Sequence, residues 1–228
     1  MAETLDRQIA ASLDDARIRT LIADQTKSLL NGVTSNIGNN GGYVYETCLR
    51  WINITIPNSA TITTAYITFS TGGSTTAGDT CNALIDGEAA DNPVAFVDVA
   101  DWLTRVRTTA TVAWNAIAHW ASSSTYQSPE LKTIIQELVD RAGWESGNAM
   151  VLFAKDNSSS ASAYRQLSTY DDDPIRGAQL HIEYELPSPS PSPSPSPSPS
   201  PSPSPEPVHG RSFLLYLITQ YFMDKRNQ

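Results

Sequence analysis

The chain has 228 residues, of which 40% are hydrophobic and 17% charged, with 15 Lys and Arg against 24 Asp and Glu for a net charge of −9. Such an acidic chain, with no basic cluster, argues against nucleic-acid binding, because neutralising phosphates needs grouped Lys and Arg. No run of 18 apolar residues exists, so no membrane span is expected. The opening Met1-Ala2-Glu3-Thr4-Leu5-Asp6-Arg7-Gln8 lacks the basic and apolar regions of a secretory signal, so export by that route is not expected either.

Between Leu5 and Leu30 the abundance of Ala, Leu, Arg and Gln permits a helix. The alternation of Ile9, Ala11 and Leu13 favours an opening strand. Residues 31–42 are rich in Asn and Gly and read as turns. From Cys48 the run Leu49-Arg50-Trp51-Ile52-Asn53-Ile54-Thr55-Ile56 alternates, or bulges near Trp51, until Pro57 stops it. After a turn at Asn58-Ser59, residues 60–70 are β-branched and aromatic and predict a second strand, ended by Gly72-Gly73. Residues 80–87 predict a third, and Ala110–Trp114 a short fourth.

The pattern then changes. Ser128-Pro129-Glu130 offers a capping hydroxyl, a proline suited to the first helical position and an early acid, and Leu131, Ile134, Ile135, Leu138 and Val139 share one helical face. A helix over 128–141, stopped by Gly143, is predicted. Strands follow at Met150–Ala154 and over 179–184, the latter turning Leu180, Ile182 and Tyr184 to one side. Many short strands and one helix predict an all-β fold, a jelly-roll β-sandwich with one packed helix.

From Pro187 to Pro207 the chain repeats Pro-Ser, with eleven prolines and one break at Glu206. Fixed φ and missing amide donors leave only an extended polyproline II rod, about 65 Å long at roughly 3.1 Å per residue. The rod separates a body, residues 1–186, from a tail, residues 208–228. The body holds most of the negative charge, because the tail carries Arg211, Lys225 and Arg226 against Asp224 alone. In the tail Ser212 can cap a helix on which Leu214, Leu217, Ile218, Tyr221 and Phe222 share a face that Phe213 extends. A peptide this apolar is expected to anchor the chain in a partner or against copies of itself.

Several segments of the body together resemble one family. Leu49 to Ile67 resembles its "LRF-N-TIP-GATIT-AYI" stretch, and Ile85-Asp86-Gly87-Glu88 with Asp91-Asn92 and Phe96 resembles its "I-GE-DNA-F" stretch. Ser12-Leu13-Asp14-Asp15-Ala16, Thr108 to Trp114, Ser128 to Arg141 with Gly143-Trp144 and Ser146 to Ala149, and Gln179 to Tyr184 are also similar to it. The family comprises jelly-roll modules of bacterial surface proteins and phage virion proteins, similar to the DNRLRE-type carbohydrate-binding modules. The resemblance covers nearly all of the body, excludes the rod and tail, and implies a fold; it transfers no catalytic residue.

Three acidic groups, Asp14-Asp15, Glu88 with Asp91, and Asp171-Asp172-Asp173, offer carboxylates. As a pair they would suit glycoside hydrolysis; as oxygen ligands, Asp14, Asp15 and Asp172 would suit a structural calcium. Solvated loop acids are the simpler reading, and no other cofactor is expected. His119, His181 and His209 lie far apart without metal-ligand spacing, and no phosphate loop or dinucleotide fingerprint is present, so the body is not expected to be an enzyme. Trp102, Trp114, Trp120, Trp144, Tyr43, Tyr45, Tyr164 and Tyr170 could include a sugar-stacking platform, though aromatic residues more often fill a core. Cys48 and Cys81 are read as buried thiols in preference to a disulfide, and the sequons at Asn53 and Asn157 carry little weight without a secretion signal.

Two functions follow as expectations. One is a phage virion appendage, a head decoration or a head, neck or tail fibre, made in the host cytoplasm and held to other virion proteins, or to its own copies, by the tail. The other is a carbohydrate-binding adhesion module at a bacterial surface, whose partners would be host surface glycans.

Overall fold

The computed structural model describes residues 2–73 and 80–187. The rod beyond Pro187 and the whole tail, with Phe213, Leu214, Leu217, Ile218, Tyr221, Phe222 and His209, lie outside the described residues.

Two antiparallel sheets pack face to face as an all-β sandwich. The strands are β1 (Ala2–Gln8), β2 (Asp15–Leu21), β3 (Lys27–Leu30), β4 (Thr34–Asn40), β5 (Tyr43–Trp51), β6 (Thr61–Ser70), β7 (Ala83–Gly87), β8 (Val112–Trp114), β9 (Thr125–Gln127), β10 (Met150–Asp156), β11 (Tyr164–Ser168) and β12 (Gln179–Glu185). The helices are α1 (Val99–Thr104) and α2 (Lys132–Val139). The smaller sheet has the order β1-β12-β6-β9; the larger runs β11-β4-β5-β10-β7-β8, with β2 pairing β5 and β3. Leu5, Leu180, Ile182, Ile62, Ile67 and Phe69 from the first sheet meet Ile37, Leu49, Trp51, Ile85, Met150 and Leu152 from the second in one buried core.

The larger sheet is covered on both faces. Cys48, Val151 and Phe153 turn away from the inter-sheet core into a second cluster with Ala16, Ile18 and Phe96, against which Trp102 and Val99 of α1 pack. The stretch 91–107 therefore lies over the outer face as a strap. Double coverage explains why Met150–Ala154 is an unbroken apolar run without alternation.

The helix seals an edge. β6 pairs with β9 only over Thr68–Ser70, and the rest of that edge is met by side chains. The Ile62 N–H donates to Gln136 Oε1 at 2.8 Å, Ala65 N–H to Glu130 Oε1 at 2.7 Å and Ile67 N–H to Ser128 Oγ at 3.0 Å. Ile134, Ile135, Leu138 and Val139 bury the predicted face. Ser128, expected to cap the helix, is spent on β6 instead, and α2 begins at Lys132, whose N–H donates to Glu130 Oε1 at 2.9 Å. Bonding a bare sheet edge in place of a helix end satisfies donors that otherwise have no partner.

Three further expectations change. The opening strand lies at Ala2–Gln8 and resumes at Asp15; Ile9, Ala11 and Leu13 belong to the crossover between sheets, which ends in a 3-10 turn at Ser12–Asp14. Residues 34–40, read as turns, form β4, in which Ser35 Oγ and Thr47 Oγ1 bond at 2.9 Å and Thr47 Oγ1 donates to Asn36 O at 2.9 Å, so paired polar groups line a buried strand. Gly38 is required there: its φ is +102°, and a Cβ would lie 2.5 Å from the Ala163 carbonyl oxygen. Finally, β5 covers 43–51 and stops at Trp51, whose Nε1 donates to Ala178 O at 3.0 Å. Residues 52–57 leave the sheet through Asn53 in the left-handed region (φ 57°), a conformation asparagine tolerates. Ile54 and Ile56 stay buried there, with Ile54 N–H donating to Asn148 O at 3.0 Å.

Candidate functional site

The strongest concentration of polar chemistry lies where the strap meets the outer face of the larger sheet. Arg107 Nη2 donates to Glu46 Oε1 at 2.6 Å and its Nη1 to Asp86 Oδ1 at 3.0 Å, while Lys155 Nζ donates to Asp86 Oδ2 at 3.0 Å. Trp102 Nε1 shares Glu46 Oε1 at 2.9 Å. Beside it Arg105 spans Glu88 Oε2 at 2.7 Å, Asp101 Oδ2 at 2.8 Å and the carbonyls of Val94 and Ala95. Burial holds Glu88 above the ordinary carboxylate range even though Arg105 pulls the other way. Arg107 thus ties the strap to β5 and β7, and Arg105 ties strap residues to one another and to Glu88 just after β7, a use of arginine's fixed fork that lysine cannot reproduce.

Next to this network a cleft of about 210 Å³ opens between the β2–β3 hairpin, β5, α1 and the end of β10. Trp102, Tyr45, Ile18 and Val44 supply apolar wall; Glu46 and Asp156 supply acceptors; Lys27, Lys155, Thr20 and Gln25 supply donors. A second depression of about 310 Å³ is lined by Ser70, Ser123, Ser124, Thr125 and Arg176.

The acids singled out in the sequence divide between two places. Glu88 belongs to the strap network, and Asp91 pairs with Arg141 at 2.7 Å. Asp14 and Asp15 sit at the crossover into β2. Asp14 Oδ1 pairs with Arg50 at 2.6 Å, and Asp15 Oδ2 accepts the Tyr170 N–H at 2.6 Å. Asp172 instead accepts Ser168 Oγ at 2.6 Å and Arg176 Nη1 at 3.3 Å, and it is Asp171 that faces the pair, accepting Ser12 Oγ at 2.8 Å. Among the described residues no three His, Cys, Asp or Glu side chains converge as a metal ion would need.

The aromatic residues also separate. Trp120 and Trp144 are buried, and Trp114 stacks on Phe69 at 5.8 Å as part of one end of the core. Arg19 covers the Tyr43 ring at 4.5 Å and Arg17 lies 5.9 Å from that of Tyr45. On the outer face of the smaller sheet Tyr66 and His181 stack at 4.6 Å, so each hides a ring face of the other. Trp102 and Tyr45, both of the predicted set, line the cleft, and Trp102 also donates to the Glu46 carboxylate there. Glu46, Arg107 and Lys155 were not singled out in the sequence; the strap that gathers them is a long-range packing event with no local signature. Cys48 and Cys81 are both free and buried, one facing the strap cluster and the other the inter-sheet core, and burial pushes both thiols up.

Compared with known proteins, the chain matches no family model and no curated sequence.

Proposed function

We propose that the protein is a display module, a structural appendage of a phage virion whose sandwich is carried on the Pro-Ser rod and anchored through the apolar tail. The observation that supports this most directly is the order of parts in the chain. A double-faced sandwich ends at β12, and within two residues of Glu185 the sequence becomes the Pro-Ser repeat that leads to Phe213–Met223. The polar groups of the body support a non-catalytic reading, since the acids nearest to one another hold crossovers and the strap in place. Two experiments test it. The native protein should sediment with intact particles and be absent from the cell-envelope fraction. Removing residues 208–228, or combining Leu217→Asp with Phe222→Asp, should leave a folded body that no longer enters the particle. Normal occupancy by the truncated chain would move the anchor into the sandwich, and sustained hydrolysis of a host polysaccharide, abolished by Asp172→Asn, would make the body an enzyme.

A second reading, a carbohydrate-binding module, is favoured by one feature, the cleft beside Trp102. Its volume suits a single sugar ring, and it sets an aromatic wall among mixed donors and acceptors, the chemistry that recognises a polyol. Glycan-array binding lost on Trp102→Ala would support this reading, which is compatible with the first.

A further inference from the structure

Side chains alternate along β2, so Ile18 and Thr20 line the cleft beside Trp102 while Arg17 and Arg19 share the opposite face. Across that face Arg17 has Leu30 and Thr47 for cross-strand neighbours, and Arg19 has Ser28 and Tyr45. None of the four is acidic. The acid that precedes them on the same face, Asp15, is taken by the Tyr170 N–H at 2.6 Å.

Two neighbouring guanidiniums without a counter-ion are out of keeping with a chain whose net charge is −9. Arg50, Arg105, Arg107, Arg141 and Arg176 each meet a carboxylate. Among the described residues Arg17 instead donates to one acceptor, the Thr34 carbonyl at 2.8 Å, and Arg19 donates to none. The Nε of each is shielded from solvent and unmatched, while the Nη groups of Arg19 stay open to it. Two tyrosine rings hold the pair in place. The Arg19 guanidinium lies 4.5 Å from the centroid of Tyr43, and that of Arg17 lies 5.9 Å from the centroid of Tyr45. A guanidinium resting on a ring keeps its outer N–H edge free to donate. Burial is the main influence on Arg17 and lowers its pKa; Tyr45 opposes this, and the charge of Arg19 adds to it. An anion between two half-desolvated like charges relieves both.

We propose that Arg17 and Arg19 form an oxyanion-binding site, which takes a single carboxylate or sulfate group carried on an otherwise uncharged ligand. Either group presents paired oxygens that guanidinium edges can bracket. The limit to one group follows from charge. A body that is acidic overall repels a dense polyanion, whereas an isolated anion answers to the charges within a Debye length of about 8 Å. The site lies across β2 from the Trp102 cleft and does not depend on what that cleft holds.

The test is an NMR titration of the full chain that follows the Arg17 and Arg19 Nε–H signals. Sodium sulfate and methyl glucuronide are the ligands; methyl glucoside, and sodium chloride at matched ionic strength, are the references. Millimolar sulfate or glucuronide should give saturable shifts of both signals, and the references should give none. The ligand that saturates first tells sulfate from carboxylate. Arg19→Gln should weaken binding roughly tenfold, the worth of one charge-assisted contact. Arg19→Lys should recover only part of that loss, because it restores the charge without the fork. Lys132→Gln, at an exposed position on α2, should bind as the natural chain does. The signals of the natural chain carry the test should Arg19→Gln not fold. Shifts that chloride reproduces, an affinity that Arg19→Gln leaves unchanged, or tighter binding of polyphosphate than of sulfate, charge for charge, would overturn the proposal.

Discussion

The Arg107 guanidinium carbon lies 3.3 Å from the centroid of the Phe153 ring. The same side chain pairs with Glu46 and Asp86 at its rim, so one residue is both the lid of an apolar cluster and the counter-charge for two acids. Glu46 and Asp86 are themselves buried, and Lys155 reaches only Asp86. Removing the guanidinium strands the Glu46 carboxylate and uncovers the ring together.

Arg107→Ala should therefore destabilise the body by about 3–5 kcal/mol, the range for breaking a buried ion pair by deleting one partner. Arg107→Met should cost less, because it restores cover over Phe153 but not the charge. Urea denaturation of the two variants separates the terms; equal losses would show that cover over the Phe153 ring contributes nothing and that the whole loss lies in the missing charge.

The sealed edge of β6 yields a second prediction. Gln136→Ala removes the acceptor for Ile62 N–H and the donor to the Ala60 carbonyl at 3.1 Å. Glu130→Ala removes the acceptor shared by Ala65 N–H and Lys132 N–H. Each should cost about 1–3 kcal/mol by leaving backbone groups unpaired. The double variant, with a longer bare edge, should self-associate on light scattering at concentrations where the natural chain does not.

A third prediction concerns pH and global stability. Because folding raises the Asp15 pKa from 3.8 to about 7, the folded state binds the proton more tightly than the unfolded chain. The group's contribution is complete below pH 3.8 and is lost as pH rises through 7. Asp15→Asn should match the natural chain near pH 4 and exceed its stability by about 2–4 kcal/mol at pH 8, measured as the difference between denaturation curves so that other carboxylates cancel.

Cys48 and Cys81 lie on opposite faces of the larger sheet and are fully buried. Neither should react with an aromatic disulfide reagent in the native protein, and two thiols should appear on unfolding without reductant. Burial disfavours the thiolate that would attack, so native reaction should stay slow even at pH 9. Recovery of fewer than two thiols after anaerobic unfolding would indicate a bridge that this geometry does not permit.

What the sequence by itself determined was set by local chemistry. The β-branched run Thr61–Ser70 is a strand because its side chains fit a pleated, half-buried surface, and the alternation of Leu180, Ile182 and Tyr184 placed those three in the core. The face of α2 was legible from the spacing of Ile134, Ile135, Leu138 and Val139. What only the tertiary structure decided depended on partners distant in the chain. β4 is a strand because Thr47 and the β11 backbone pair with its polar residues, which alone read as turns. Ser128 bonds β6 because a bare sheet edge lies beside it. The strap network joins Glu46, Asp86, Arg107 and Lys155 across more than a hundred residues, and the acid facing Asp14 and Asp15 is Asp171, not Asp172. Propensity and periodicity act over a few residues, while charge pairing and edge closure act through space, so only folding reveals which carboxylate meets which cation and which one meets none.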